Sequence, residues 1–219
     1  MSTDLTSLAH AQHAIRTAIA THGLPLVTIP KGRLFYRVQL SCFTEPLFFN
    51  RYSPTRYGDA HQHLGVCYVA GSDFVAVAET LQASQGSGGP VTLSDIERRS
   101  LHTLVTARPL QVVDAALLAR NGGQTLDAIV QGSGQGNSGY AYTQRLSSEV
   151  MRHPAQVDGL LYPSRAYALS GSLLGCNLVL FEGRSTPLLA VDQVPLLEVE
   201  LSCGETVLEF LGRLQVPMA

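Results

Sequence analysis

Charge of one sign, long apolar runs, paired cysteines and internal repeats are all missing from this 219-residue sequence. Fifteen Lys and Arg stand against 17 Asp and Glu, a net charge of -2 at pH 7, so there is no basic footprint for direct nucleic-acid binding. No apolar run reaches the roughly 20 residues of a membrane-spanning helix, which excludes that route into a bilayer. The opening stretch, MSTDLTSLAHAQHAIRTAIATHG, has neither the basic start nor the compact apolar centre of a secretion signal. A cytoplasmic location is therefore expected. The four cysteines, Cys42, Cys67, Cys176 and Cys203, are scattered and form no CxxC, so they are expected to be reduced residues of core or strand.

What is present describes a globular chain. Hydrophobic residues make up 45% and charged residues 15%, and the length suits one large domain or two small ones. No linker divides it, so a single domain over 1–219 is expected. Leu5, Leu8, Ile15 and Ile19 predict an amphipathic helix over 5–21, closed by the glycine and proline of HGLPL. RLFYRVQ (33–39) and GVCYVA (65–70) predict strands. Ser72 or Asp73 caps a helix running to about Ala83. Residues 84–90 read as a loop. Residues 101–113 predict two short strands broken at Arg108-Pro109. QGSGQGNSG (131–139) reads as a mobile loop or lid, and a helix is expected from about Tyr140 to Arg152. DGLLYPS, CNLVLFEG and LLEVELS predict further strands, and GETVLEFLGRL a closing helix. Strands and helices mix without a βαβ rhythm, so the fold class is α+β, or mixed α/β.

Several residues stand out chemically. Arg37 and Arg51 lie in LFYRVQLSCFTEPLFFNRYSP, among aromatic and apolar neighbours. A charge in such surroundings is costly unless paired, so each needs a carboxylate from the fold or an anionic ligand. Glu79 is the one charge in FVAVAETL. It is either a salt-bridged residue at a core edge or a site carboxylate. Ser164, after the strand-like GLLYP, sits where ligand groups are commonly placed, although a serine there also suits a simple turn. Asp59, His61 and His63 in GDAHQH have donor atoms for a metal, but a short HxH in a loop is more simply a solvated turn, and no metal is expected. QGSGQGNSG lacks the Gly-Lys-Ser ending of a phosphate loop.

Taken in order, FYRV, NRYSP, GVCYVAGSDFVAVAETL and DGLLYPS…CNLVLFE resemble the RES-domain family, named for its Arg, Glu and Ser. The resemblance covers about residues 33–183, leaving an N-terminal helix and a C-terminal extension without an assignable motif. Arg37 matches the first arginine, Tyr68 the tyrosine of LYLA, Glu79 the glutamate and Ser164 the serine of YPS. Arg51 matches the arginine of GRWNP, with Tyr52, Ser53 and Pro54 for Trp, Asn and Pro. Arg56 competes for that second place, because the link from Pro54 to Gly65 is longer than usual.

The resemblance implies an ADP-ribosyltransferase-like core of strands flanked by helices. It also implies a toxin of a bacterial toxin–antitoxin pair that uses NAD as substrate. Hydrolysis or phosphorolysis of the nicotinamide–ribose bond is the first expectation, ADP-ribose transfer to a protein target the second, and a non-catalytic nucleotide-binding module the third. The implied partner is a helical antitoxin with an Xre-like DNA-binding part that blocks the site. The residue types suit NAD on their own chemistry. Arginine forks bind pyrophosphate. A carboxylate such as Glu79 stabilises positive charge developing on the ribose. Tyr68 offers a face to the nicotinamide ring, and Ser164 a hydrogen bond to a ribose hydroxyl or the carboxamide. No GxGxxG follows a strand, which argues against hydride transfer. Arg37, Tyr68 and Ser164 are thus expected to converge on one cleft, with the helix of Glu79 beside it.

Overall fold

The computed structural model describes residues 2–52, 55–82, 89–125, 139–167 and 172–219. Ser53, Pro54 and most of the two glycine-rich stretches, SQGSGGP and QGSGQGNSG, lie outside them.

Helix α1 (Ser2–His22) leads into strands β1 (Leu26–Ile29), β2 (Leu34–Leu40) and β3 (Val66–Ala70), then helices α2 (Asp73–Leu81) and α3 (Leu93–Glu97). Strands β4 (Arg99–Thr106) and β5 (Leu110–Asp114) and helices α4 (Ala115–Asn121) and α5 (Ala141–Met151) follow. Strands β6 (Gly159–Pro163), β7 (Cys176–Phe181) and β8 (Leu188–Pro195) and helix α6 (Val207–Arg213) complete the chain. All eight strands form one sheet in the order β1-β5-β6-β7-β3-β2-β4-β8. Among the described strands only β5 and β6 pair in parallel, joined by a crossover that includes α4 and α5.

The sheet has to curl. β4 and β5 are five places apart in it, about 24 Å if it were flat, at about 4.8 Å per strand. Residues 107–109 join them, and so short a link spans at most about 14 Å. Side chains from both ends accordingly meet inside: Ile29 of β1, Phe35 of β2, Leu104 of β4, Leu110 of β5 and Leu188 of β8 share one core cluster. The opposite parity of each strand faces helices. Val113, Leu160, Val179 and Phe181 pack against α1, α4 and α5. Val38, Ala70 and Leu101 pack against α2, α3 and α6. Strands apolar on both faces read as unbroken apolar runs, which is why GVCYVA and CNLVLF were legible as strands.

Local signals explain the helix ends. Gly23 takes a left-handed φ of 72° after α1. Ser72 caps α2 by accepting from the Val75 amide, and Thr92 and Asp95 make a reciprocal capping box on α3. One expectation changes. LLEVELS is not a strand: Leu196–Glu198 form one turn of 3-10 helix, and the edge strand lies before it in LLAVDQVP. The two strands expected in 101–113 are present as β4 and β5, and closure of the curl sets them five places apart in the sheet. Strand β1 and helices α3 and α4 are additions.

Backbones approach closely at Gly159, the first residue of β6. A β-carbon there would overlap the main-chain carbonyl of Val179 on β7. Gly159→Ala is expected to destabilise the fold by about 1–3 kcal/mol, the usual cost of forcing extra volume into packed structure. Urea unfolding measures this, and an unchanged midpoint would contradict the close β6–β7 contact.

Candidate active site

Strands β2 and β3 touch in register at one residue pair, Tyr36 with Ala70. Before and after it each strand follows its other neighbour, β2 along seven pairs with β4 and β3 along five with β7. A cleft of about 220 Å³ lies at this joint, lined by Tyr36 and Arg37 on one side and Tyr68 and Ala70 on the other. Helix α2 lies alongside and contributes Glu79 and Thr80, while Tyr162 of β6 and Asn177 of β7 extend the wall.

Glu79 is held from one side. Its Oε1 accepts hydrogen bonds from Ser164 Oγ (2.7 Å), Asn177 Nδ2 (2.8 Å) and the Arg165 amide (3.2 Å). Ser164 is only 2% exposed and sits behind the carboxylate, bonded through its own amide to the Gly175 carbonyl and accepting from the Tyr167 amide. Its one hydroxyl proton goes to Glu79, so the geometry gives it a supporting place rather than a position on the cleft wall.

The two sequence arginines separate. Arg37 donates from Nη1 to the Pro46 carbonyl and to Cys67 Sγ, both at 2.7 Å. Among the described residues no carboxylate lies within salt-bridge distance of it. Cys67 is a protonated thiol rather than a thiolate, since burial pushes it up to about 11 against the opposing pull of Arg37. Arg51, in contrast, forms a two-pronged pair with Glu182, 2.7 Å on each prong, and Glu182 also accepts from the Gly65 amide. Arg51 is exposed and does not line the cleft.

Arg56, the competitor for the second place, lies among tyrosines. Its guanidinium is 5.5 Å from the centre of the Tyr140 ring. Burial raises the phenols of Tyr68 (to about 12) and Tyr162, and the Arg56 charge opposes both rises. Those two tyrosines line the cleft and feel the Arg56 charge, although Arg56, like Arg51, is not itself among the lining residues.

The long link from Thr55 to Leu64 is anchored to α5. Ser147 Oγ donates to the Tyr57 carbonyl (2.7 Å), Gln144 Nε2 to the Thr55 carbonyl (3.0 Å) and Ser148 Oγ to Asp59 (2.7 Å). The Tyr57 amide in turn donates to the Tyr68 hydroxyl at 2.8 Å, fixing that ring in the cleft wall. Asp59 is a turn anchor: it accepts from the amides of His61, His63 and Leu64 and pairs with Arg152 at 2.8 Å. His61 and His63 stack at 5.9 Å on the exposed side. No group of three or more metal-ligating side chains occurs among the described residues. No helix among them is long and apolar enough to cross a membrane.

Arg37, Tyr68 and Glu79 thus line one cleft, Ser164 stands directly behind it, and Arg51 is elsewhere. Tyr36, Tyr162 and Asn177 are cleft residues that the sequence did not single out. A lone asparagine inside the apolar run CNLVLF was the available signal for the last.

The family model described as RES domain matches residues 9–202. The chain belongs to the RES domain family. Its fold resembles that of a chain in the "Crystal structure of the M.tuberculosis MbcT-MbcA toxin-antitoxin complex", with a TM-score of 0.59 and 18% identity over 93% of this chain and 96% of that one. No match is found among curated proteins.

The Asp59 anchor carries a pH signature. Burial raises its pKa, but the Ser148 hydroxyl, the His61 and His63 amides and Arg152 together outweigh this and bring it from 3.8 down to about 2. A depressed carboxylate contributes stability above its unfolded pKa and loses it as pH falls through the folded one. Stability equivalent to about 2 kcal/mol should therefore disappear between about pH 4 and pH 2, and Asp59→Asn should remove that part of the acid dependence. Urea titrations of both proteins across this range provide the check.

Proposed function

We propose that this chain is an NAD-consuming toxin that cleaves the nicotinamide–ribose bond, and that the cleft at the β2–β3 joint is its active site. The observation that carries the reading is that one cleft holds two opposite charges, neither of them ion-paired among the described residues. Arg37 meets a carbonyl and a thiol, and Glu79 meets neutral donors on one oxygen. NAD supplies what each lacks: an anionic pyrophosphate and a ribose carbon that turns positive as its bond to nicotinamide breaks. Membership of the RES domain family and the fold shared with a chain of a toxin–antitoxin complex support the same reading.

In this scheme the tyrosine-lined wall formed by Tyr68 and Tyr162 receives the nicotinamide ring, with Arg37 and Arg56 turned toward the phosphates. The ribose–nitrogen bond breaks with its electron pair going to nicotinamide, which leaves neutral. Glu79 Oε2 faces the positive ribose carbon and stabilises it as the charge develops. Water then adds to that carbon and releases a proton to solvent, giving ADP-ribose; phosphate in place of water gives the phosphorolysis product. Ser164 acts through Glu79 rather than on the substrate. An antitoxin that covers the cleft is the matching partner.

Glu79→Gln keeps the shape and removes the charge. The variant is expected to stay folded and bind NAD, with nicotinamide release falling about 100- to 1,000-fold. Melting temperature, NAD affinity and turnover on one preparation test this, and near-normal turnover in the folded variant would remove Glu79 from the mechanism. In the same affinity assay, Arg56→Ala should weaken NAD binding by about tenfold or more, the loss of one charge-assisted contact. Arg51→Ala should leave it within about twofold, as expected for an exposed ion pair outside the site. The reverse order would restore Arg51 as the second site arginine.

A further inference from the structure

We infer that Asn177 is a positioning residue that fixes the carboxylate of Glu79, so that one oxygen is locked to the protein and the other is presented to the cleft. The inference rests on the cleft being the place of reaction, as proposed above.

Asn177 is 4% exposed and stands in the second position of β7, between Ala70 of β3 and Tyr162 of β6. Its neighbours along the strand, Leu178, Val179 and Leu180, are buried and apolar. A carboxamide in such a row is costly unless hydrogen-bonded. Its Nδ2 makes one bond, the 2.8 Å contact to Glu79 Oε1. Only the amino side of the amide can donate to a carboxylate, so the acceptor sets the orientation of the group.

Ser164 Oγ and the Arg165 amide reach the same oxygen. Rotation of the Glu79 carboxylate would break all three bonds together, and among the described residues no donor meets Oε2. Ser164 and Arg165 approach from the end of β6, whereas Asn177 approaches from the adjacent strand and itself lines the cleft. It therefore ties the carboxylate from the β7 side, which the other two donors do not reach. An apolar residue of similar size would serve packing at this place at least as well. What it could not do is hold a charged oxygen.

The test compares Asn177→Leu and Asn177→Asp with wild type. Leu keeps the branched outline and removes the donor, and Asp keeps the shape and sets a second acceptor against Glu79. Both are expected to lower kcat for nicotinamide release by about 10- to 100-fold, the scale of loss for a misplaced reacting group, with KM for NAD within about twofold. The melting temperature of Asn177→Leu should equal or exceed that of wild type. A structural role predicts the opposite, a lower melting temperature with kcat per folded molecule unchanged, and that result would overturn the inference. A crystal structure of Asn177→Leu gives a second readout independent of turnover. A rotated Glu79 carboxylate is expected, and an unmoved one would overturn the inference. Should wild type release no nicotinamide from NAD, the functional reading falls, and the carboxylate orientation alone decides on Asn177.

Discussion

Strands β2 and β3 join through a single registered pair, and the site depends on that limited contact. A fully zipped pair would bring Arg37 and Val69 into a continuous ladder and leave no space between the strands. The cleft instead lies where two halves of a curled sheet meet, each held by its own long pairing with β4 or β7. Tyr36 and Ala70 keep the halves in one sheet, and α2 spans the joint, packing on both. The inside of the curl is apolar and the outside is covered by two helical layers, so the site residues are set on rigid elements.

Within that frame, the partners of the charges distinguish structural groups from reactive ones. Arg51 and Glu182 neutralise each other, and Arg152 does the same for Asp59. These pairs fix loops. Among the described residues Arg37 and Glu79 meet only neutral groups, a costly arrangement unless something charged arrives. The buried tyrosines around them have phenols held protonated by burial, so they supply faces and hydroxyls rather than charge.

Much of this was legible in the sequence because it was local. An arginine between Tyr36 and Val38, a glutamate in FVAVAETL and a serine after GLLYP stand out against their immediate neighbours. Apart from NRYSP, the motif pieces that carry the family resemblance lie on β2, β3, α2, β6 and β7, the elements that frame the cleft. The pairing of Arg51 was not legible because its carboxylate is 131 residues away in sequence, and nothing beside NRYSP announces Glu182. Asn177 was hidden by an apolar run that reads as a buried strand. LLAVDQVP did not read as a strand because an exposed edge strand tolerates Asp192, Gln193 and Pro195, and LLEVELS had the better alternation. Residues 101–113 show two strands in the sequence but not their separation, because the distance between β4 and β5 in the sheet is set by closure of the curl, which no local pattern records.

The central claim is that NAD lies across the β2–β3 joint with its reacting ribose carbon against residue 79. A crystal structure of the Glu79→Gln variant with NAD bound tests it most directly. The account predicts the ribose carbon that bears nicotinamide within about 4 Å of the Gln side chain, near van der Waals contact, and the pyrophosphate within hydrogen-bond reach of Arg37. Dinucleotide bound away from this joint, or with its adenosine end at residue 79, would contradict it.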